Sequence, residues 1–331
     1  MDPSELEPPS FDSCDGVSAR CPVEATLYGD YFTVGACAFF VAAFTLALFL
    51  QIWLGWRSKA WSFATYLGLG TIFELASYAA RIVLANNPWI FGAFVVQMLF
   101  LLLGPTLVAA SISVTFKHLV LHYGREWSVL RPRLYPWVFV GTDFISILIQ
   151  AVGGAVAAFA TSGSEENMQL ADVSSALLVT GVVFQVANMV ICGGLMLIYL
   201  WRRRRGLASR SGGSVREESS GSEAVSPGSK AVRPDGEKKL KIFIIAITVA
   251  YVAIVIRCIY RVPEMAGGWG NDLQKDEVTF LVLDGAMILV AVWLLTIFHP
   301  AFYFPSLGKK KVEVPDRNEE PRDYEMAEPR S

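Results

Sequence analysis

Charge is scarce in this chain of 331 residues. Only 18% of them are Asp, Glu, Lys or Arg, whereas 53% are hydrophobic, and soluble domains carry about 25% charged residues. That shortage excludes a soluble globular enzyme, a nucleic-acid binder and a disordered chain. Histidine is almost missing, with three residues. A Walker-type Gly-Lys loop and a sizeable soluble domain are both lacking, which excludes ATP hydrolysis. No Asn-x-Ser/Thr sequon is present, so N-glycosylation is not expected. The opening residues include Asp2, Glu5, Glu7, Asp12 and Asp15 and lack a basic, apolar start. A cleavable signal peptide is therefore not expected.

Long apolar runs are what the chain does have. A helix needs about 20 apolar residues to cross a hydrocarbon core roughly 30 Å thick. Seven segments meet that length, at about 31–54, 60–84, 91–116, 136–160, 174–200, 241–261 and 278–300. Strand alternation is lacking, and helices satisfy their own backbone groups in lipid. The fold class expected is all-α: a polytopic membrane protein with seven transmembrane helices.

Basic residues give the orientation. Arg57, Lys59, Lys117, Arg125, Arg131, Arg133, the 201–241 loop and the C-terminal tail hold 23 of the 28 Lys and Arg, and all fall on one side. The N-terminus is thus expected outside and the C-terminus in the cytosol. The domains read as an extracellular segment at 1–30, a seven-helix membrane domain at 31–303 and a cytosolic tail at 304–331. Within the membrane domain, a Gly/Ser-rich cytosolic loop at 202–238 is expected to be disordered. The run Arg202–Arg205 reads as an anchor beside anionic lipid. Cys14 and Cys21, seven positions apart on the oxidising side, are candidates for a disulfide. Cys37, Cys192 and Cys258 lie in helices as small apolar side chains.

Ionisable and amide groups within the spans are costly there, and each is a functional candidate. They are Glu74 and Arg81 on the second helix, Gln97 on the third, and Asp143 and Gln150 on the fourth. The fifth carries Gln185 and Asn188, the sixth Arg257, Arg261 and Glu264, and the seventh Asp284. Glu74, Tyr78 and Arg81 share one helical face, as do Arg257, Arg261 and Glu264. A rise of 1.5 Å per residue puts Glu74, Gln150 and Gln185 near the midplane and Asp143 alone in the inner third. Gln97, Arg81, Arg257, Arg261, Glu264 and Asp284 fall in the outer half. From the midplane outward, one stretch of membrane thus holds three acids (Glu74, Glu264, Asp284) and three arginines (Arg81, Arg257, Arg261). Their charges cancel, which fits a closed network of pairs and equally a polar cavity open to the outer leaflet.

His118 and His122 are spaced i, i+4 at the inner end of the third helix, a spacing that can hold a metal. The surroundings read as a cation-rich helix end, and neither metal nor cofactor is expected. His299 is placed to cap the last carbonyls of the seventh helix. Pro105 beside Gly104 predicts a kink in the third. Gly68, Gly70, Gly153, Gly154, Gly193 and Gly194 predict close helix contacts.

Four motifs stand in order: Glu74-x-x-x-Tyr78-x-x-Arg81, Asp143-x-x-Ser146-x-x-x-Gln150-x-x-Gly153-Gly154, Arg257-x-x-Tyr260-Arg261-x-x-Glu264, and Glu277 seven before Asp284 with His299-Pro300 closing the last helix. Together they resemble the fungal lipid-translocating exporter family, the resistance-to-aminocholesterol type that includes sphingoid long-chain-base exporters. The resemblance spans roughly residues 22–303. It departs at Ser77, Leu281 and Ala301, where the family often has Gly, Tyr and Gly. What it implies is protection against toxic amphiphiles by moving them out of, or across, the plasma membrane.

The function expected is therefore lipid or amphiphile translocation without enzymatic chemistry. Partners expected are membrane lipids or amphiphilic small molecules, and no nucleic acid. The binding set is Glu74, Tyr78, Arg81, Gln97, Asp143, Gln150, Gln185, Arg257, Arg261, Glu264 and Asp284. Two alternatives stay open. A seven-helix receptor shares the topology, although the third helix ends Val114-Thr115-Phe116-Lys117-His118 without an Asp-Arg-Tyr-like triplet. An intramembrane metal-dependent lipid hydrolase would need His118 and His122.

Overall fold

The computed structural model describes residues 9, 11, 13–123, 134–160, 165–214, 234–267 and 271–300. Seven long helices dominate it: α1 (Val34–Ser58), α2 (Trp61–Asn86), α3 (Phe91–Tyr123), α4 (Leu134–Ala160), α5 (Glu165–Ser214), α6 (Pro234–Ala266) and α7 (Glu277–Ile297). All seven contain stretches long and apolar enough to cross a membrane, and no strand occurs among the described residues. The chain is an integral, multi-pass membrane protein.

Several helices outrun the apolar runs that locate them. Hydropathy reads only the part of a helix that sits in oil, and a formed helix extends at little cost. Arg, Leu and Ala are good helix formers, and α5 continues through Arg202–Arg205 to Ser214. The loop expected to be disordered at 202–238 is therefore helical at 202–214 and 234–238. Its remainder at 215–233, the 124–133 connection and the tail from 301 lie outside the described residues.

Neighbours in sequence pack side by side, most extensively α2 with α3 and α4 with α5, and α7 closes the bundle against α1 and α6. Phe44, Leu67, Tyr78, Ile112, Phe243, Ile254 and Ile288 form the shared core. Phe49, Trp53, Trp56, Ile191, Leu197 and Ile245 point outward, as lipid-facing surfaces require. One glycine of each predicted pair makes the close approach. A Cβ on Gly70 would lie 2.9 Å from the Gly104 carbonyl, and one on Gly193 would lie 2.9 Å from the Tyr251 ring. Gly68 and Gly194 face open space.

The segment before α1 is strapped over one end of the bundle. Cys14 and Cys21 are joined by a disulfide. Trp89 Nε1 donates to the Cys21 carbonyl at 3.2 Å, and Asn87 Nδ2 donates to the Asp15 carbonyl at 2.8 Å. At the far side of the strap, Glu277 accepts from the Thr33 backbone N–H at 2.9 Å and from its hydroxyl at 2.7 Å. Closing so short a loop stabilises by about 2 kcal/mol. The variant Cys14→Ser/Cys21→Ser should melt several degrees below wild type in detergent, with its helix content unchanged. Equal melting temperatures would show that the strap holds without the bridge.

Candidate functional site

Under the strap, α6 and α7 bring charges together at depth. Residues Leu281–Ala286 of α7 form a π-helical stretch, a wide turn that recurs at functional sites. Asp284 lies within it and is fully buried. On α6, Arg257 and Arg261 are one turn apart on the same face, and their Nε atoms stand 3.1 Å and 3.0 Å from Asp284 Oδ1. These are ion-pair contacts that lack the alignment of hydrogen bonds. Arg261 Nη1 also donates to both oxygens of Glu264, at 3.1 Å and 3.0 Å.

Arg257 has a second task that Pro105 creates. Proline has no N–H, so the carbonyl four residues earlier, that of Leu101, loses its helical partner. Arg257 Nη2 donates to that carbonyl at 2.5 Å. The carbonyl that Pro105 frees is thus met by a cation from a neighbouring helix.

Arg81 on α2 completes the upper layer. Its guanidinium carbon lies 3.9 Å from the Phe32 ring centre and 4.3 Å from that of Phe280, close enough for cation–π attraction. Its ion partner is Glu277, at 3.7 Å. Gln97 Nε2 donates to the Tyr28 hydroxyl at 3.0 Å. Burial raises the Tyr28 phenol above its ordinary value, which keeps it neutral in the roof.

Glu277 changes the charge balance read from sequence. Each guanidinium now has its own acid: Arg81 with Glu277, Arg261 with Glu264, and Arg257 with Asp284. Glu74 is left over. It is fully buried, and neither of its oxygens has a hydrogen-bond partner among the described residues. The side chain rests on Gly104, where a Cβ would come within 2.5 Å of Oε1. One turn on, Tyr78 stacks against Phe40 at a ring separation of 4.6 Å and lies against Gly285.

The sequence-predicted set thus divides. Glu74, Tyr78, Arg81, Gln97, Arg257, Arg261, Glu264 and Asp284 gather between α2, α3, α6 and α7, all buried. Asp143, Gln150 and Gln185 do not join them and line the α4–α5 seam instead. Gln150 Nε2 donates to Gln185 Oε1 at 3.3 Å, and Asn188 Nδ2 donates to Asp143 Oδ1 at 2.6 Å. His118 is engaged with the Val114 carbonyl of its own helix at 2.7 Å, while the His122 side chain lies outside the described residues. His299 packs edge-on against Phe63.

Sequence reasoning left several contributors out of the binding set: Tyr28, Phe32, Phe280 and the Leu101 carbonyl. Only the last had a local signal, Pro105. It also missed a buried network towards the opposite end, in which Gln51 Nε2 donates to Thr296 Oγ1 at 2.9 Å and Thr71 donates to Gln51 Oε1 at 3.0 Å.

Residues 67–307 match the family model described as RTA1 like protein. The chain belongs to the RTA1-like family. Every member of the predicted binding set falls inside that segment. Among curated relatives, the sphingoid long-chain base transporter RSB1 of Saccharomyces cerevisiae is 28% identical over 251 residues, which cover 70% of this chain and 63% of that one. Protein RTA1 of the same organism is 24% identical over 248 residues, covering 74% and 68%. Protein RTM1 is 25% identical over 234 residues, covering 70% and 65%. The chain therefore spans somewhat under two thirds of the transporter it matches. No solved structure matches.

Proposed function

We propose that this RTA1-like protein is a transporter, not an enzyme, that moves cationic amphiphiles of the sphingoid-base class out of or across the plasma membrane and so protects the cell from them. The surplus carboxyl of Glu74 carries the reading. A buried carboxylate without a partner is costly, and a long-chain base brings the missing cation. The three acid–arginine pairs keep the surrounding walls charged and fixed, so the ammonium meets one open acid among closed ones.

An apolar cavity of about 380 Å³ between α3, α5 and α6 offers room for a hydrocarbon chain. It begins at Val255 and Ile256, the residues just before Arg257, and continues along Met189, Gly193 and Met196. The name of the RSB1 relative supports the substrate class. The distribution of Lys and Arg supports an outside N-terminus, and the Cys14–Cys21 disulfide fits an oxidising compartment there.

The experiment is reconstitution into liposomes with a fluorescent sphingoid base. Glu74→Gln removes the charge at constant shape, and flux should fall at least tenfold while the melting temperature holds or rises. Equal flux in the variant overturns the assignment of Glu74. Wild-type flux no greater than in protein-free vesicles overturns the transport reading.

A further inference from the structure

Four acids are buried in the described spans: Glu74, Asp143, Glu264 and Asp284. Glu264 and Asp284 are held by guanidinium groups, and Glu74 is the acid to which the substrate ammonium is assigned. Asp143 remains. It is 2% exposed, and among the described residues no Lys, Arg or His lies within ion-pair distance of it. Its partner is a neutral amide, Asn188 Nδ2 at 2.6 Å, which also donates to the Phe139 carbonyl at 3.2 Å.

The titratable groups facing it are few. α5 contributes the Cys192 thiol and α6 the Tyr251 phenol, with Cys258 further along α6, while α3 contributes the Ser113 hydroxyl. Tyr251 donates its hydrogen bond to the Met189 carbonyl and Ser113 to the Ala109 carbonyl, so neither is aimed at the acid. Asp143, Asn188, Ser113, Cys192 and Tyr251 border a small cavity of about 10 Å³. That is close to the least volume that admits one water. A carboxyl in such a place, lacking a cation, is neutralised most simply by a proton.

We propose that Asp143 is a proton-binding site that couples the proton gradient to amphiphile export. The inference rests on the transport reading. One proton adds to the Asp143 carboxylate to form the acid on one side of the membrane and leaves it on the other. One ammonium moves the opposite way from Glu74, so charge balances one for one. The two sites share a wall, because α3 supplies Gly104 to Glu74 and Ala109, Ala110 and Ser113 to the Asp143 cavity. Gly104 and Ala109 lie about 8 Å apart along the helix axis. Between them sits Pro105, at the point where the ladder of α3 is open and the Leu101 carbonyl is held by Arg257.

The test uses the full chain in liposomes with an imposed pH gradient and the same fluorescent base, with protein-free vesicles subtracted. Wild type should accumulate the base uphill. Asp143→Asn should lose pH-driven accumulation at least tenfold and keep downhill flux within about twofold, and Asp143→Glu should restore part of the coupling. Loss of both fluxes in folded Asp143→Asn, or full pH-driven accumulation in it, overturns the proposal, as does drive by a sodium gradient in place of protons. A second measurement is independent of transport. Infrared spectra of the purified protein should contain a protonated-carboxyl band that Asp143→Asn removes and Glu74→Gln leaves in place. Absence of that band overturns the proton site even if no flux is found, whereas its presence without flux defeats the transport reading alone.

Discussion

Asp284→Ala should yield little folded protein. The substitution leaves Arg257 and Arg261 buried beside a hole where their shared carboxylate was, at 3.1 Å and 3.0 Å. Breaking a buried ion pair by removing one partner costs about 3–5 kcal/mol, because an uncompensated charge stays behind. Arg261 keeps Glu264, so the larger penalty falls on Arg257, whose remaining partner is the neutral Leu101 carbonyl. Combining Asp284→Ala with Arg257→Met should therefore recover part of the loss, since no arginine is then left without an acid. Groups in contact couple in this non-additive way. Heating followed by size-exclusion chromatography reads the outcome. An Asp284→Ala protein as heat-resistant as wild type would show that the ion contacts do not hold the bundle. Glu74→Gln should have the opposite effect on stability, because there the natural residue is the uncompensated one.

Gly285→Ala is the second large effect. The new methyl would overlap the Tyr78 hydroxyl and come within 2.9 Å of Phe40 Cζ. Tyr78 is fully buried and stacks on both Phe40 and Phe44, at 4.6 Å and 5.9 Å, so it has little room to swing aside. Overpacking of this kind costs about 1–3 kcal/mol. Tyr78→Phe should be neutral or stabilising, because the hydroxyl has no hydrogen-bond partner among the described residues. In the Tyr78→Phe background Gly285→Ala should cost clearly less, with the remainder due to Phe40. Equal costs in both backgrounds would mean that the π-helical stretch moves and relieves the clash.

The fold was legible because oil imposes a simple length rule, and all seven apolar runs lie on helices. Their ends were less legible, since α5 runs on into Arg202–Arg205 where hydropathy falls but helix propensity does not. At the site, spacing placed Glu74, Tyr78 and Arg81 on one face and Arg257, Arg261 and Glu264 on another, and these faces meet. Depth misled for Gln150 and Gln185. Spacing along the chain speaks only to level, and the side of the bundle they face depends on how α4 packs on α5. The role of Glu277 was hidden for a related reason. Its partners, Arg81 and Thr33, are far away in sequence, and a polar residue at a helix end looks like ordinary surface. The wide turn around Asp284 leaves little trace in Leu281-Val282-Leu283-Asp284-Gly285-Ala286.

The strap has a practical corollary. The family segment begins at residue 67, yet Phe32 covers Arg81 and Thr33 holds Glu277 from upstream of it. An expression fragment trimmed to 67–307 would discard that cover along with α1. Phe40 and Phe44, the rings on which Tyr78 stacks, would go with it. Segments swapped between relatives must therefore carry both sides of this seam, because the buried charge cluster is a joint product of the family segment and the chain that precedes it.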